Sequence, residues 1–259
     1  CKMIDGQGVF LPESKRNLPH TSMVIKRFLG LKNDYYSNKQ SEDAIGQVDV
    51  LCGAIMFMDK QVFEEIGGFD EKYFMFGEDI DLSYKILKKG LRNYYYGDSS
   101  IIHYKGESTS KNFKFYKSFY GAMGIYYRKH IAKNIFNKIL SFVLLELIIF
   151  FKSFMITSRF KYATKSEDCY LISNKDYVDL QNRISIKTEL TQILSKKLEN
   201  CEIIFDSNCL TFKNIISTMQ RLSKNNGVIF KIIPKVSNYL IGSNSSREHG
   251  QVILFDLNK

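Results

Sequence analysis

Hydrophobic positions recur with helical spacing in residues 67–90, the stretch around which the first half of the chain is organised. Ile80, Tyr84 and Leu87 stand at i, i+4 and i+7, and Gly90 follows as a stop signal, which predicts an amphipathic helix. Apolar and aromatic residues come just before it: Phe69, Tyr73, Phe74, Met75 and Phe76. We therefore expect the helix to begin beside packed side chains rather than in a solvated loop.

Shorter apolar runs predict further elements around this helix. A nearly continuous run from Val48 to Met58 predicts a buried strand, and Asp59 is placed to cap a short helix that ends at Ile66. Two strand-like runs and an aromatic, basic helix follow the central helix, at residues 91–96, 99–103 and 112–130.

The most hydrophobic stretch of the chain runs from Ile139 to Ile156. As a helix it would reach about 27 Å, on the margin of a bilayer span, and Glu146 and Lys152 interrupt it. Basic residues flank it, namely Arg128, Lys129, Lys133 and Lys138 before it and Arg159, Lys161 and Lys165 after it. This pattern favours a helix or hairpin lying in the cytoplasmic leaflet over a clean crossing. A buried helix of a soluble domain is the alternative that remains open.

From about residue 166, short strands and helices alternate, which predicts a small, mostly parallel α/β domain. The pattern predicts a long helix from Lys175 to Leu198 and a shorter one from Thr211 to Ser223. Strands are predicted at residues 169–173, 202–205, 228–233, 239–241 and 252–257. Its loops carry no nucleotide-binding fingerprint, so the sequence assigns this domain no role.

Composition and charge limit the possible functions. A chain of 259 residues with 44% hydrophobic residues can form one large domain or two modest ones. The formal net charge of +10 favours anionic partners, such as a membrane surface or the phosphates of a nucleotide sugar. Nucleic acid is not expected, because the basic residues are spread out and no nucleic-acid-binding motif accompanies them. The five cysteines form no Cys-x-x-Cys pair, which is typical of reduced thiols in the cytosol.

Three carboxylates, Glu78, Asp79 and Asp81, crowd the start of the predicted central helix. A carboxylate there meets unpaired backbone N–H groups and the positive end of the helix dipole, which keeps it ionised and able to accept a proton. Ordinary capping by first-turn acids explains the same pattern. The spacing alone leaves both interpretations open.

Four motifs follow one another in the first half of the chain. They are Gly-Gly-Phe-Asp-Glu at 67–71, Phe-Met-Phe at 74–76, Glu-Asp-x-Asp-Leu at 78–82 and Ile-Ile-His-Tyr-Lys-Gly-Glu-Ser at 101–108. In this order they resemble the C-terminal half of the catalytic domain of inverting family 2 glycosyltransferases. The likeness is to the rhamnosyltransferase-like branch that builds bacterial surface polysaccharides, and it runs from about Asp5 to Lys129.

The resemblance implies an α/β fold class: the C-terminal portion of a GT-A nucleotide-diphospho-sugar transferase domain, a hydrophobic helical segment, and a small α/β domain. The expected boundaries are 1–130 for the acceptor and base half, 131–165 for the membrane-associating helical segment and 166–259 for the last domain. Asp79-Ile80-Asp81 is not taken as the family's metal-binding Asp-x-Asp, because it opens a helix instead of ending a strand. No apolar strand ending in Asp-x-Asp is present, so we expect the nucleotide-binding half to lie upstream of this sequence.

The resemblance also assigns roles on the acceptor side. It makes Asp79 the catalytic base, with Glu78 beside it to orient an acceptor hydroxyl or to tune Asp79 by like-charge repulsion. It places the acceptor-binding residues at four positions: Gly53, Ala54, Asp70 and Asp81. Core packing at Gly53 and Ala54, and helix capping by Asp81, are the simpler explanations.

On the donor side, the resemblance implies phosphate contacts from Lys15, Arg16, Lys105 and Ser108. It makes His103 a ligand of Mn²⁺ or Mg²⁺, since imidazole binds either ion alongside carboxylates. A solvated basic loop around Lys15 and Arg16, and an ordinary histidine at a strand end, are the alternatives.

The function that the resemblance implies is transfer of a sugar, with inversion, from a nucleotide-sugar donor to a saccharide or lipid-linked acceptor in surface polysaccharide synthesis. We expect such a protein in the cytoplasm, peripheral on the inner face of the cell membrane. Two alternatives remain open from the sequence. One is a noncatalytic, membrane-associated saccharide-binding module, and the other is a metal-dependent hydrolase that uses Asp79, Asp81 and His103.

Overall fold

The computed structural model describes residues 1–20, 22–23, 26, 31, 34–104, 113–154, 166, 168–177, 180, 186–195, 198–225, 227–243 and 250–255. The chain divides into two compact units that both mix helices and strands, in agreement with the expected α/β class. Unit 1 comprises residues 1–2, 12–99 and 109–158, and unit 2 comprises residues 3–11, 100–108 and 159–259.

The strands and helices are numbered in chain order. The strands are β1 (Lys2–Ile4), β2 (Lys15–Arg16), β3 (Ile45–Val48), β4 (Val50–Leu51), β5 (Asn93–Tyr96), β6 (Ser100–Ile102), β7 (Asp168–Ile172), β8 (Ile186–Thr188), β9 (Cys201–Asp206), β10 (Ile229–Ile233), β11 (Tyr239–Gly242) and β12 (Gln251–Leu254). The helices are α1 (Lys60–Glu65), α2 (Glu78–Lys88), α3 (Phe113–Tyr126), α4 (Ile135–Phe154), α5 (Leu190–Ser195) and α6 (Phe212–Leu222).

Unit 1 contains two antiparallel strand pairs, β2 with β4 and β3 with β5. Asn93, which is buried at the start of β5, connects these strands to α2. Its side-chain amide donates to the backbone carbonyl of Asp49 at 2.7 Å and to that of Ser83 in α2 at 3.1 Å. The middle of α2 is thereby held beside the start of β4.

The central helix forms as predicted and begins at Glu78, directly after Gly77. Gly77 has φ of +81°, a left-handed conformation that an L side chain rarely adopts. A Cβ at this position would also come within 3.1 Å of the Tyr73 ring. Glycine at 77 therefore allows the chain to enter α2 closely packed against its preceding aromatic segment.

The predicted strand from Val48 to Met58 is a correction, because β4 ends at Leu51. Residues beyond it turn away from the strand, and Phe57 is 90% exposed. The turn brings the backbone N–H of Gly53 onto Asp79, which a continuing strand would not allow. The predicted short helix after Asp59 is confirmed as α1, with the Asp59 side chain accepting from the N–H groups of Gln61 and Val62.

The aromatic helix predicted at 112–130 is confirmed as α3, and it continues into a π-helical turn at Tyr127–Ile131. Single π-helical turns of this kind often occur near functional sites. Two consecutive side chains of the turn, Lys129 and His130, reach the same carboxylate, that of Asp81 in α2. The turn thus connects α3 to the acidic helix.

Helix α4 corresponds to the predicted hydrophobic segment and packs on α3. Many of its large apolar side chains are exposed: Ile135, Phe136, Ile139, Phe142, Val143, Leu144, Leu147, Phe150 and Phe151. No helix among the described residues is both long enough and sufficiently apolar to cross a membrane.

Unit 2 is built on a six-stranded sheet in the order β12-β11-β10-β9-β7-β8. The four strands β8, β7, β9 and β10 are parallel, and β11 and β12 add an antiparallel edge. Its main core includes Ile203, Phe205, Phe230 and Met219, and Ile4 of β1 belongs to the same core. The mostly parallel α/β architecture predicted for this region is therefore present.

The long helix predicted from Lys175 to Leu198 is wrong. Ile186–Thr188 instead forms β8, paired in parallel with Tyr170–Ile172 of β7, and among the described residues of this region the α-helix is confined to Leu190–Ser195. The ladder to a buried neighbouring strand overrides the local helical pattern, as tertiary context often does.

Candidate functional site

The first turn of α2 carries a buried ion pair with β2. The Arg16 Nη2 atom donates to Asp79 Oδ2 at 2.6 Å, and the two side chains are 8% and 11% exposed. The backbone N–H of Gly53 donates to the same oxygen at 3.0 Å, and the N–H of Ile80 donates to Oδ1 at 2.8 Å. The Asp79 carboxylate is therefore held by donors from three segments of unit 1.

The Arg16 guanidinium is fixed on more than one side. Its Nη2 also donates to the Leu51 carbonyl at 2.6 Å, and its Nη1 donates to the Tyr35 hydroxyl at 3.2 Å. Burial by itself lowers the pKa of Arg16, but the charge of Asp79 and the contact with Tyr35 outweigh it and raise that pKa. Arg16 is a permanent cation at this position.

Glu78 lies next to this pair, half-buried at the start of α2. Its Oε2 atom is buried and has no hydrogen-bond partner among the described residues. Burial raises the pKa of Glu78, the negative charge of Asp79 raises it further, and the positive charge of Arg16 opposes both. Glu78 is thus a carboxyl group with a free acceptor atom and an increased affinity for protons.

Asp81 lies on a different side of the helix and contacts a second set of side chains. Its carboxylate accepts from Lys129 Nζ at 2.9 Å and contacts His130 Nε2 at 2.5 Å and Lys85 Nζ at 3.6 Å. Although burial raises the pKa of Asp81, the hydrogen bonds from His130 and Lys129 outweigh burial and lower it. Asp81 therefore connects α2 to the π-helical turn.

The predicted acceptor residues are partly brought together. Gly53 and Ala54 are exposed, and a Cβ on Gly53 would lie 3.2 Å from Asp79 Cβ and 3.5 Å from Glu78 Oε1. Asp70 instead binds Lys129 at 2.7 Å, on the same cation as Asp81. The structure thus places Gly53 beside the Glu78–Asp79 pair and places Asp70 beside Asp81.

The predicted donor residues are found at several places. Lys15 is buried, with its ammonium on the backbone carbonyls of Gln40 and Ser41, and Arg16 is directed at Asp79. His103 belongs to unit 2, where its backbone N–H donates to the backbone carbonyl of Ile4 at 2.8 Å. Lys105 and Ser108 lie outside the described residues.

The motif resemblance implies a divalent cation, so the residues of the site are compared with what such an ion requires. The described part of the chain contains no group of three or more His, Cys, Asp or Glu side chains that could hold one. Asp79 and Asp81 each bind a protein cation and face different partners. Asp79 and Asp81 therefore do not fit a divalent metal.

An apolar cavity of about 70 Å³ lies in unit 1 beside the acids. Gly77 and Ile80, which flank Glu78 and Asp79 in sequence, contribute to it, and most of its other residues come from α3 and the π-helical turn. The lining residues are Pro19, Met23, Tyr35, Phe76, Gly77, Ile80, Phe119, Ala122, Met123, Tyr126, Tyr127 and Ile131.

Sequence reasoning missed three residues of this region, namely Tyr35, Lys129 and His130. The basic run at 128–130 is visible in the sequence, but it reads as a flank of the hydrophobic segment. Its contact with Asp81 spans 48 and 49 residues of chain, and no local pattern reports such a pairing.

Comparison with known families gives a match that covers most of unit 1. Residues 14–138, which include β2, β4, α2 and α3, match the family described as glycosyltransferase like family 2. This part of the chain belongs to glycosyltransferase family 2. The resemblance seen in the motifs is thereby confirmed for the family 2 segment, as we name residues 14–138.

Curated relatives of the family 2 segment are rhamnosyltransferases by name. The N-acetylglucosaminyl-diphospho-decaprenol L-rhamnosyltransferase of Mycobacterium tuberculosis is 32% identical over 77 residues, which cover 30% of this chain and 25% of the relative. The rhamnosyltransferase WbbL of Escherichia coli K12 is 34% identical over 91 residues, or 35% of this chain and 34% of the relative. The chain thus spans about a quarter to a third of these relatives. No solved structure is significantly similar to it.

Proposed function

We propose that this chain carries the acceptor-side part of an inverting sugar transferase that acts in surface polysaccharide synthesis. The observation that supports it most is the Glu78–Asp79 pair, in which one carboxylate is fixed by three donors and the other keeps a buried oxygen without a described partner. The family 2 segment and its rhamnosyltransferase relatives favour a nucleotide sugar as donor and a saccharide or lipid-linked acceptor.

In this proposal Asp79 takes the proton from the acceptor hydroxyl as its oxygen attacks the anomeric carbon of the donor sugar. The fixed orientation of Asp79 supports such a role, because a general base must stand within hydrogen-bond reach of the proton it removes. Glu78, whose Oε1 atom lies beside the exposed Gly53, accepts a hydrogen bond from the acceptor and so orients it. Both carboxylates lie at the N-terminus of α2, where the helix dipole favours their negative charge.

The acceptor would occupy the exposed edge at Gly53 and Ala54, with its apolar parts against the cavity that Gly77 and Ile80 border. Aromatic side chains of α3, such as Phe119, offer apolar faces there. Asp81 and Asp70 would contribute indirectly, through the contact that both carboxylates make with Lys129. Contacts with the donor phosphates are proposed for Lys105 and Ser108.

The test is sugar transfer by the protein that the complete gene encodes, with nucleotide-sugar donors and lipid-linked acceptors. Asp79→Asn should lower the transfer rate by about 10³-fold, and donor binding should stay within a factor of about two, since loss of a general base costs this much. Asp59→Asn is the matched control, because asparagine also caps α1 and Asp59 is remote in sequence from the acids. Transfer retained by Asp79→Asn would contradict the base assignment, and saccharide binding without turnover would favour a binding module instead.

We further propose that α4 holds the protein peripherally on the inner face of the cell membrane. Its exposed apolar residues, including Phe136, Phe142 and Phe151, give it a surface that a lipid interface would cover. The basic residues Lys133 and Lys138 near its start favour anionic headgroups.

A further inference from the structure

Arg16 is the residue whose position differs most from what its place in a basic loop suggests. Its side chain is 8% exposed, and both terminal nitrogens donate to protein oxygens, on Asp79, Leu51 and Tyr35. A guanidinium that reaches a diphosphate would present these same nitrogens to it. In unit 1 both nitrogens already donate hydrogen bonds to protein oxygens.

The contacts of Arg16 require a guanidinium and could not all be made by the ammonium of a lysine. Its planar head spans three acceptors that come from different segments, the Tyr35 hydroxyl, the Leu51 carbonyl at the end of β4 and the Asp79 carboxylate in α2. An ammonium is a point charge on a flexible stem and would not hold these groups in one fixed arrangement. The Gly53 N–H completes the fixation of Asp79 at 3.0 Å.

We infer that Arg16 is a positioning residue: it fixes the Asp79 carboxylate for proton removal and does not bind the donor diphosphate. This inference rests on the proposed function for its catalytic meaning. The structural observations behind it are the Arg16–Asp79 ion pair and the hydrogen bond from Arg16 to the carbonyl of Leu51, the last residue of β4.

The same pair acts on Glu78, which gives a signal that does not require catalysis. The charged groups that face Glu78 are Asp79 on its own helix and Arg16 from β2, and Cys52 lies near both of these. Because the positive charge of Arg16 opposes the increase in the pKa of Glu78, removal of that charge should raise this pKa further.

The kinetic experiment compares Arg16→Gln and Arg16→Lys with the unmodified protein. Arg16→Gln should lower kcat by about 100-fold, and the donor KM should stay within about twofold, because displacement of a catalytic group costs rate and not donor binding. Arg16→Lys should recover only part of kcat. A donor KM that rises about tenfold or more at unchanged kcat would overturn the inference and return Arg16 to the donor phosphates.

The second experiment follows the carboxyl carbon of Glu78 by ¹³C NMR during a pH titration. The pKa of Glu78 should rise in Arg16→Gln and stay near its original value in Arg16→Lys, which keeps the charge. Lys15→Gln is the matched control, since it removes a buried cation from the same strand whose ammonium lies on Gln40 and Ser41. An unchanged titration in Arg16→Gln, or an equal shift in Lys15→Gln, would overturn the inference.

The two experiments separate the failure of each proposal. If no donor and acceptor pair gives transfer but the pKa of Glu78 shifts as expected, the transferase proposal fails and the Arg16 contact with the acid pair stands. If transfer occurs and Arg16→Gln changes donor KM alone, the transferase proposal stands and the positioning role fails. If Arg16→Gln does not fold, Arg16→Lys decides, with lower kcat at constant donor KM supporting the inference and the reverse overturning it.

Discussion

Side chains at the start of α2 divide the three acids into two groups with different partners. Asp79 and Glu78 face Arg16 and Gly53, whereas Asp81 faces Lys129 and His130. Asp79 and Asp81 are two residues apart on the helix and point in nearly opposite directions, which explains why these two acids take different partners. One short acidic motif can therefore supply a candidate reaction centre and a structural ion pair at once.

Replacement of Asp81 tests the structural half of this motif. Asp81→Asn leaves Lys129 and His130 without their buried anion, and we expect a loss of about 3 kcal/mol in the free energy of unfolding at pH 7. The folded pKa of Asp81 is lowered, so its stabilisation is present above the ordinary value of 3.8 and is lost as the pH falls through the folded pKa. Urea unfolding at a series of pH values measures both effects.

The control for this prediction is Glu64→Gln, which breaks the exposed pair with Lys60. Those side chains are 63% and 88% exposed, and such pairs contribute little to stability. Equal losses in the two variants would show that Asp81 is not a buried ion-pair centre. A difference between Asp81→Asn and the unmodified protein that persists unchanged at low pH would contradict the assigned pKa direction.

The Gly53→Ala variant tests how small a change in geometry is enough to disturb the site. A Cβ at this position would lie 3.2 Å from Asp79 Cβ, so Gly53→Ala must displace one of the two by a few tenths of an ångström. We expect transfer to fall by about tenfold with little change in melting temperature, since small misplacements of a catalytic group are costly.

Gly121→Ala in α3 is the matched control for Gly53→Ala. A Cβ there has no neighbour within 4 Å, and alanine is preferred over glycine inside a helix. Transfer by Gly121→Ala should be unchanged and stability unchanged or slightly higher. Full transfer by Gly53→Ala would show that the close approach to Asp79 has no role in the reaction.

At the scale of elements, local signals predicted those parts whose cause is local. The i, i+4, i+7 pattern found α2, and Asp59 marked the start of α1 through its own side-chain cap. The hydrophobic run found α4, although the helix begins at Ile135, four residues earlier than expected. These features depend on neighbours within one or two helical turns.

The parts that were not predicted depend on distant contacts. β8 forms because Ile186 pairs with Tyr170, and the strand at Val48 ends early because Gly53 turns onto Asp79, 26 residues away. The Arg16–Asp79 pair joins positions that are 63 residues apart. No pattern in the sequence around either residue indicates the other. The sequence therefore identified the candidate acids but not the contacts that hold them.

Helix α4 gives the prediction that belongs to this scale. The double change Phe136→Glu and Ile139→Glu places two charges on its exposed apolar surface, where the side chains are 69% and 58% exposed. We expect the protein to lose most of its flotation with lipid vesicles, because the interface would have to accept two carboxylates. Circular dichroism would establish that the variant is folded.

A control with the same kind of change lies in unit 2. Val236 is 95% exposed and Val252 is 67% exposed, so glutamate at both positions adds the same charge to apolar surface positions outside the helix. Flotation should be unaffected by this pair. Equal loss in both double variants would attribute vesicle binding to net charge and not to the apolar surface of α4.

At the scale of the whole molecule, net charge and apolar surface make separable contributions to membrane binding. The charge of +10 attracts the chain to anionic lipid over about one Debye length, about 8 Å at physiological salt, whereas contact by α4 is short-ranged. We expect binding to anionic vesicles to weaken by at least tenfold between about 50 mM and 500 mM salt, since each basic residue near the surface contributes about 1 kcal/mol and salt screens this attraction. A residual, salt-independent affinity should remain and should disappear in the Phe136→Glu, Ile139→Glu variant. Co-sedimentation with neutral and anionic vesicles measures both parts, and a salt-independent affinity that survives in that variant would exclude α4 as the membrane contact.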